Sequence, residues 1–594
     1  MKKRHLFAAF LILTLLLYGC GPEETGGLGH ITIEEPVATV VPAAYNPSQR
    51  EPDPDADGTA DFFSEESTDY YNGEAMPAPP IDMGAAPEAS DENGIREVAP
   101  SAASPGVNLA AGDITMGVVV STDADINPLS TDCRDFINID SLVYESLVEL
   151  NENMRPQPQL ADRWTFDGDL WTFTLRSGIV FHDGAALTAN DVVASYQEIL
   201  NHPTGKWYSL VSHISAMRAV DDLTLEVKSA SEMGYFTLYC MTFPVVSAAS
   251  IAAETPMGTG AYWFIDFSRN NALRLESNPL WWRRASGGVE SIVAIFYPST
   301  KAAMQALETG EIDTLATESA TASLSKNLSD RVTVDFLTQT YECLLPNLDR
   351  QIMASPAVRK AIMYAIDRTT VVETVYAGLA QESEVPVQPG TWLHDPQSTK
   401  YNFSPERALY LLYEDGWSDP DGDGVLQKEM EGSVVRLEIS LATYDRGTTT
   451  TRTDAANLIA EQLKTVGFAV TVETVSTSDV LPTLRNGKFD LALVAFELSE
   501  LPELSFLLYS SGNCNYSRYT SASMDTLLRE AFQTTDEEAL KNTMGKIQLQ
   551  IVEELPVMGL FFRSGILICK QSLGGIVGSR QGNVLRGIAT AIRD

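Results

Sequence analysis

The chain has 594 residues, enough for several domains, and sets 80 acidic residues against 41 basic ones for a formal net charge of -39. A chain this acidic repels phosphate backbones and anionic headgroups, which sets nucleic acid aside as a partner. Its six cysteines show no C-x-x-C spacing, so neither a zinc ribbon nor a thioredoxin-type redox pair is indicated.

In chain order, Lys2, Lys3 and Arg4 precede an apolar run from Leu6 to Tyr18. A spanning helix needs about 20 apolar residues, so this shorter run reads as a secretory signal. Its end, Leu17-Tyr18-Gly19-Cys20, resembles a bacterial lipobox, in which Cys20 is lipidated and becomes the mature N-terminus. Residues 1–20 are therefore expected to be a lipoprotein signal peptide. Residues 21–112 carry 18 acidic side chains against Arg50 and Arg96 and are rich in Pro, Ala, Gly and Ser. Such a segment cannot bury enough apolar surface to offset chain entropy and is expected to be a disordered, extended tether.

From Asp113 onward, strand and helix patterns alternate. "WTFTLR" puts Trp171, Phe173 and Leu175 on one face, a half-buried strand. "LTANDVVASYQEIL" opens a helix that Thr188 and Asp191 can cap. Ser355-Pro356 and Ser404-Pro405 suit the N-cap and first turn of two further helices. "FDLALVAF" is a continuous apolar strand of the kind buried on both faces. The pattern is α/β with mixed strand order and no internal repeat.

No H-E-x-x-H, P-loop lysine motif or G-x-S-x-G elbow occurs. "GTGAYW" begins like a dinucleotide loop, but Trp263 stands where the third glycine belongs. The histidines are scattered, with His202 and His213 eleven residues apart, so no metal site and no cofactor are expected. Asp419, Asp421, Asp423 and Gly424 match the start of a calcium loop, but Met430 replaces the bidentate glutamate. That stretch reads as an acidic surface turn. Among the body cysteines, Cys133, Cys240, Cys343, Cys514 and Cys569, one or two disulfides stay open, with buried free thiols the plainer expectation.

"PQLADRWTFDGDLWTFTLRSGIVFHDGAALTANDVVASY" closely resembles the signature of the bacterial family 5 extracellular solute-binding proteins. These are the peptide- and nickel-binding components of ABC importers. "GTGAYWFIDF", "NPLWW", "AMQALETGEIDTL", "SPAVRKAIMYAIDR", "YNFSPERALYLLYEDGW" and "LPVMGLFF" follow in the family's order, and the resemblance covers 113–594. It implies a two-lobed periplasmic-binding-protein-like α/β fold (type II, cluster C) with an extra subdomain. The first lobe is expected at 113–155, 250–342 and 556–594, the inserted subdomain at 156–249 and the second lobe at 343–555.

The resemblance further implies a non-enzymatic, extracytoplasmic, lipid-anchored monomer that captures di- or oligopeptides and delivers them to a permease and ATPase complex. A nickel chelate, haem or another small solute is the alternative, as is a sensor lipoprotein that has kept the fold. Peptide-binding relatives hold the ligand ammonium with an Asp in a region that reads "LALVAFELSELPELSFLL" here. Glu497 is the candidate in its place, beside Phe496. Arg452 lies near where dipeptide-binding relatives place an Arg for the ligand carboxylate. Asp132 and Arg134, in the loop after the first strand, are expected to line the cleft.

Overall fold

The computed structural model describes residues 113–594 except 122–123, 231–232, 270, 284–287, 320–321, 324–325, 327–330, 446–449, 570–572, 575–578, 591 and 594. Cys20 and the expected tether at 21–112 lie outside the described residues. Among those described, no helix is long and apolar enough to cross a membrane.

The first strand, β1 (Ile114–Val119), is buried along its whole length, as befits the middle of a sheet covered on both faces. Helix α1 (Arg134–Val143) follows. A four-stranded antiparallel sheet comes next, built from β2 (Ala161–Asp167), β3 (Leu170–Leu175), β4 (Ile214–Asp221) and β5 (Thr224–Ser229) in the order β2-β3-β5-β4. Burial alternates strictly along β3, with Trp171, Phe173 and Leu175 inside. Helix α2 (Ala189–Leu200) packs on this sheet, and at its start Asp191 accepts hydrogen bonds from the Thr188 N–H at 2.9 Å and hydroxyl at 2.7 Å.

The chain then returns to the main sheet with β6 (Tyr262–Ser268), β7 (Ala272–Ser277) and β8 (Ser291–Tyr297), followed by helix α3 (Thr300–Thr309) and β9 (Thr314–Thr317). The glycines of "GTGAYW" serve packing: a Cβ on Gly260 would lie 2.5 Å from the Val143 carbonyl, where α1 ends against this loop. Under α3, the residues Val293, Ile295, Leu307, Ile312, Leu315, Ile566 and Ile568 form a compact apolar cluster.

A 15-residue strand, β10 (Val332–Pro346), comes next. There follow α4 (Pro356–Ala365), β11 (Ala380–Glu382), α5 (Pro405–Glu414), β12 (Glu438–Tyr444), α6 (Thr451–Lys464), β13 (Ala469–Val475), β14 (Leu491–Glu497), α7 (Ala522–Gln533) and α8 (Glu537–Glu554). Ser355 and Ser404 cap α4 and α5, each with proline in the first turn. The 12-residue β15 (Met558–Cys569) brings the chain back.

All the main strands belong to one 11-stranded sheet of order β13-β12-β14-β10-β15-β9-β1-β8-β7-β6, with β11 on the side of β15. It is a two-lobed, periplasmic-binding-protein-like α/β fold. β10 and β15 run side by side through this sheet: residues 332–337 pair with 564–569, and 340–346 pair with β14. The β10–β15 register breaks between Leu337 and Tyr341. At that break Thr338 replaces ladder bonds with its own: its hydroxyl donates to the Arg563 carbonyl at 3.1 Å, and its carbonyl accepts from Gln388 at 2.6 Å. Cys240, Cys343, Cys514 and Cys569 are buried free thiols.

Candidate functional site

Two neighbouring strands each carry a charge within a buried apolar stretch. Glu342 interrupts "TYECLLP" on β10, and Arg563 interrupts "LFFRSGILIC" on β15. Both are buried, at 0% and 3% exposure. An isolated charge there would be very costly, so each needs a partner. Glu342 ion-pairs with the Arg563 guanidinium and takes Arg452 bidentately, Nε at 3.1 Å and Nη2 at 3.2 Å. Burial pushes the Glu342 carboxyl up, but Arg452 and Arg563 outweigh it and hold the group below its ordinary range. Arg452 sits in the first turn of α6, where its N–H donates to Asp445, and its guanidinium lies 4.4 Å from the Tyr444 ring centre. Arg563 lies 5.3 Å from that of Tyr376.

The charges continue into the first lobe. Glu318, just past β9, accepts from Arg134 Nη1 at 2.7 Å. Its carboxyl is raised by burial, against the pull of Arg134 and then Arg563. Arg134 also lies 3.8 Å from Asp135, whose carboxylate holds the Val119 N–H at the end of β1. Alternating charge thus runs Asp135, Arg134, Glu318, Arg563, Glu342, Arg452, from α1 through β15 to α6, with Glu318 and Arg563 coupled through space and the other neighbours paired.

Glu497 shares this sheet face. Thr340 pairs with Glu497 and Glu342 with Ala495, and directly opposed residues point to the same side of a sheet. Half-buried at the end of β14, Glu497 accepts from the Thr340 hydroxyl at 2.8 Å and from Gln581 at 3.2 Å. Gln581 also accepts from the Gln339 N–H at 2.7 Å, tying the C-terminal segment to the register break.

The structure therefore brings Glu497, Arg452 and Arg134 onto one constellation. The Arg452 fork is engaged by Glu342, so its role here is to compensate a buried carboxylate. Phe496 is turned to the opposite face by the period of two and lies fully buried against Phe506, ring centres 6.1 Å apart. Asp132 stands apart: burial pushes its carboxyl up to about 6, and Asp125 adds to the effect. Glu318, Glu342, Arg563 and Gln581 were missed from the sequence. The signal for two of them was present, a lone charge in the middle of a buried apolar strand.

After β14, Glu500 pairs with Lys206 at 3.4 Å and Arg580 at 3.2 Å. Glu503 is buried and pushed up to about 7, although it accepts from the Ser505 N–H at 2.8 Å. Two stretches distant in sequence meet along a seam in which the Gly234 and Tyr235 N–H groups donate to the Phe532 and Thr534 carbonyls at 2.8 and 2.7 Å. Arg155 pairs with Glu537 at 2.6 Å, and the Trp392 indole donates to the Tyr239 hydroxyl at 2.9 Å.

The chain belongs to the bacterial extracellular solute-binding proteins, family 5, whose middle-region model matches residues 155–518. It is thus a solute-binding protein of the kind that serves ABC importers. It is 24% identical over 491 residues to the oligopeptide-binding protein AppA of Bacillus subtilis, covering 78% of this chain and 88% of that one. To Heme-binding protein A of Haemophilus influenzae it is 24% identical over 456 residues, 70% of this chain and 80% of that one. The solved nickel ABC transporter protein of Bacillus halodurans superposes with a TM-score of 0.70 at 20% identity, over 80% of this chain and 98% of that one.

Proposed function

We propose that this protein captures short peptides between its lobes and hands them to an ABC permease and its ATPase, held at the membrane by lipid on Cys20. The observation that carries the peptide reading is the half-buried carboxylate of Glu497 beside the register break. A peptide enclosed between lobes brings its ammonium into a poorly solvated place, where only a carboxylate makes the charge tolerable. The oligopeptide-binding relative adds support.

A charge-assisted hydrogen bond is worth about 1.5–3 kcal/mol, so Glu497→Gln weakens binding of free peptides by roughly ten- to a hundredfold. Calorimetry with free and N-acetylated peptides checks this: acetylation costs affinity in the wild type and little further in Glu497→Gln. Equal binding of both peptides by both proteins places the ammonium elsewhere.

For the anchor, Cys20→Ser is expected to release the protein from membranes or leave its signal uncut. Membrane fractionation that finds the variant processed and retained as before would remove the lipid reading.

A further inference from the structure

Near its C-terminus the chain makes a tight turn, Arg580-Gln581-Gly582-Asn583, closed by the Asn583 N–H donating to the Arg580 carbonyl at 2.9 Å. The third residue of the turn takes a left-handed backbone, which Gly582 supplies at φ +79°. Both shoulders are pinned. Arg580 pairs with Glu500 at 3.2 Å, the Ser141 hydroxyl donates to Asn583 at 3.4 Å, and the Val584 N–H donates to Asn138 at 3.3 Å. Val584 and Leu585, next along the chain, are buried in the core. The backbone of the turn is therefore held, while the Gln581 side chain at its tip can turn away by its own torsions.

The Gln581 carboxamide bridges two groups. Its nitrogen donates to Glu497 Oε1 at 3.2 Å, and its oxygen accepts the Gln339 N–H at 2.7 Å. That orientation is dictated by chemistry, because an ionised carboxylate only accepts and a backbone N–H only donates. The Thr340 hydroxyl takes the other oxygen of Glu497 at 2.8 Å. The contact from Gln581 comes from a neutral donor and is long. A charged nitrogen donates to a carboxylate at about 2.7–2.9 Å and roughly twice as strongly. An ammonium arriving at Glu497 thus displaces the carboxamide, whereas a solute without one leaves the carboxamide in place and the carboxylate paired.

We propose that Gln581 is a specificity-determining residue, a built-in substitute for the ligand amine that sets how strongly Glu497 demands one. The inference rests on the reading of Glu497 as the ammonium site and adds a consequence for substrate range. A half-buried carboxylate robbed of its donor would penalise every solute with a blocked N-terminus. Gln581 removes that penalty, so free peptides are preferred and N-blocked peptides are enclosed as well.

Calorimetry with trialanine and N-acetyl-trialanine tests this through the ratio of their dissociation constants. Gln581→Ala takes the substitute away and is expected to widen the ratio at least threefold over the wild type. Gln581→Lys supplies a tethered ammonium, a stronger competitor, and is expected to bring the ratio to within twofold of one. A merely structural Gln581 would change both peptides alike and leave the ratio at its wild-type value. That result, with Glu497→Gln still shrinking the ratio, overturns the inference and leaves the ammonium site standing. A ratio that narrows in Gln581→Ala also overturns it, since Gln581 would then hold Glu497 ready for the ligand. If Gln581→Ala fails to fold, Gln581→Met keeps the bulk without the donor and carries the same expectation. Equal binding of the two peptides by wild type, Gln581→Ala and Glu497→Gln overturns the ammonium site itself, and the inference falls with it. No heat from trialanine or from a random tri- to pentapeptide mixture overturns the peptide reading as a whole.

Discussion

Asp140 on α1 shows what happens to a buried charge that is given no partner. Both of its carboxylate oxygens are buried and unpaired. Burial raises its carboxyl well above the ordinary range; Asp125 adds to the rise, and Lys206 opposes it. Glu342 is buried as deeply, yet two guanidiniums keep it ionised. An acid raised in the folded state binds a proton there that the unfolded chain has released. Its contribution to stability is therefore present at low pH and is lost as pH climbs from about 4 through the folded-state value. Asp140→Asn removes that loss. The variant is expected to match the wild type near pH 4 and to exceed it by about 1–3 kcal/mol at pH 8, as read by urea unfolding across the pH range. A constant difference at every pH would show that Asp140 does not titrate between the two states.

Among the elements, the turn at 419–424 is the one whose sequence most resembles a different function. Asp419, Asp421 and Asp423 are all exposed, with ligand atoms within 4.8 Å of one another. The Gly422 and Gly424 N–H groups donate to Asp419 at 2.8 and 3.0 Å, and Arg436 pairs with Asp423 at 2.6 Å and reaches Asp421 at 3.7 Å. Arg436 ends the hairpin formed by Gln427–Met430 and Ser433–Arg436, so Met430 is a strand residue and does not close a loop around an ion. A guanidinium already answers the acids. Calcium titration is expected to leave the melting temperature unchanged and to give no strong calorimetric site. A micromolar heat that disappears in Asp421→Ala would overturn this assignment.

Over the whole molecule, closure of the lobes is expected to depend on how closely the segment at 234–235 meets the chain at 532–534. A Cβ on Gly234 would overlap the Thr534 carbonyl and lie 2.5 Å from that of Gln533. Backbone cannot yield there as a flexible side chain would, so Gly234→Ala is expected to hold the seam apart. Overpacking of this kind costs about 1–3 kcal/mol, charged to the closed state, and peptide affinity falls roughly ten- to a hundredfold. Small-angle scattering at saturating peptide checks the cause: the variant has a larger radius of gyration than the wild type. Weakened binding with an unchanged radius would place the effect elsewhere.

Much of the architecture was legible in the chain itself, because local patterning and family motifs are written in short stretches. The alternation of Trp171, Phe173 and Leu175, the Thr188–Asp191 cap and the Ser-Pro helix starts all hold, since each depends on neighbours a few residues away. The site was only half legible. That Glu497 and Arg452 share a constellation rests on β14 pairing with β10 in one particular register, and a shift by one residue would have turned Phe496 to that face instead. Glu342 meets Arg563 across 221 positions of sequence, and Glu318 meets Arg134 across 184. Their partners are chosen by the path of two crossover strands through one sheet. Sequence alone determined that each of those strands carries a charge among apolar neighbours, and only the tertiary structure decided that the charge is buried and which opposite charge it meets.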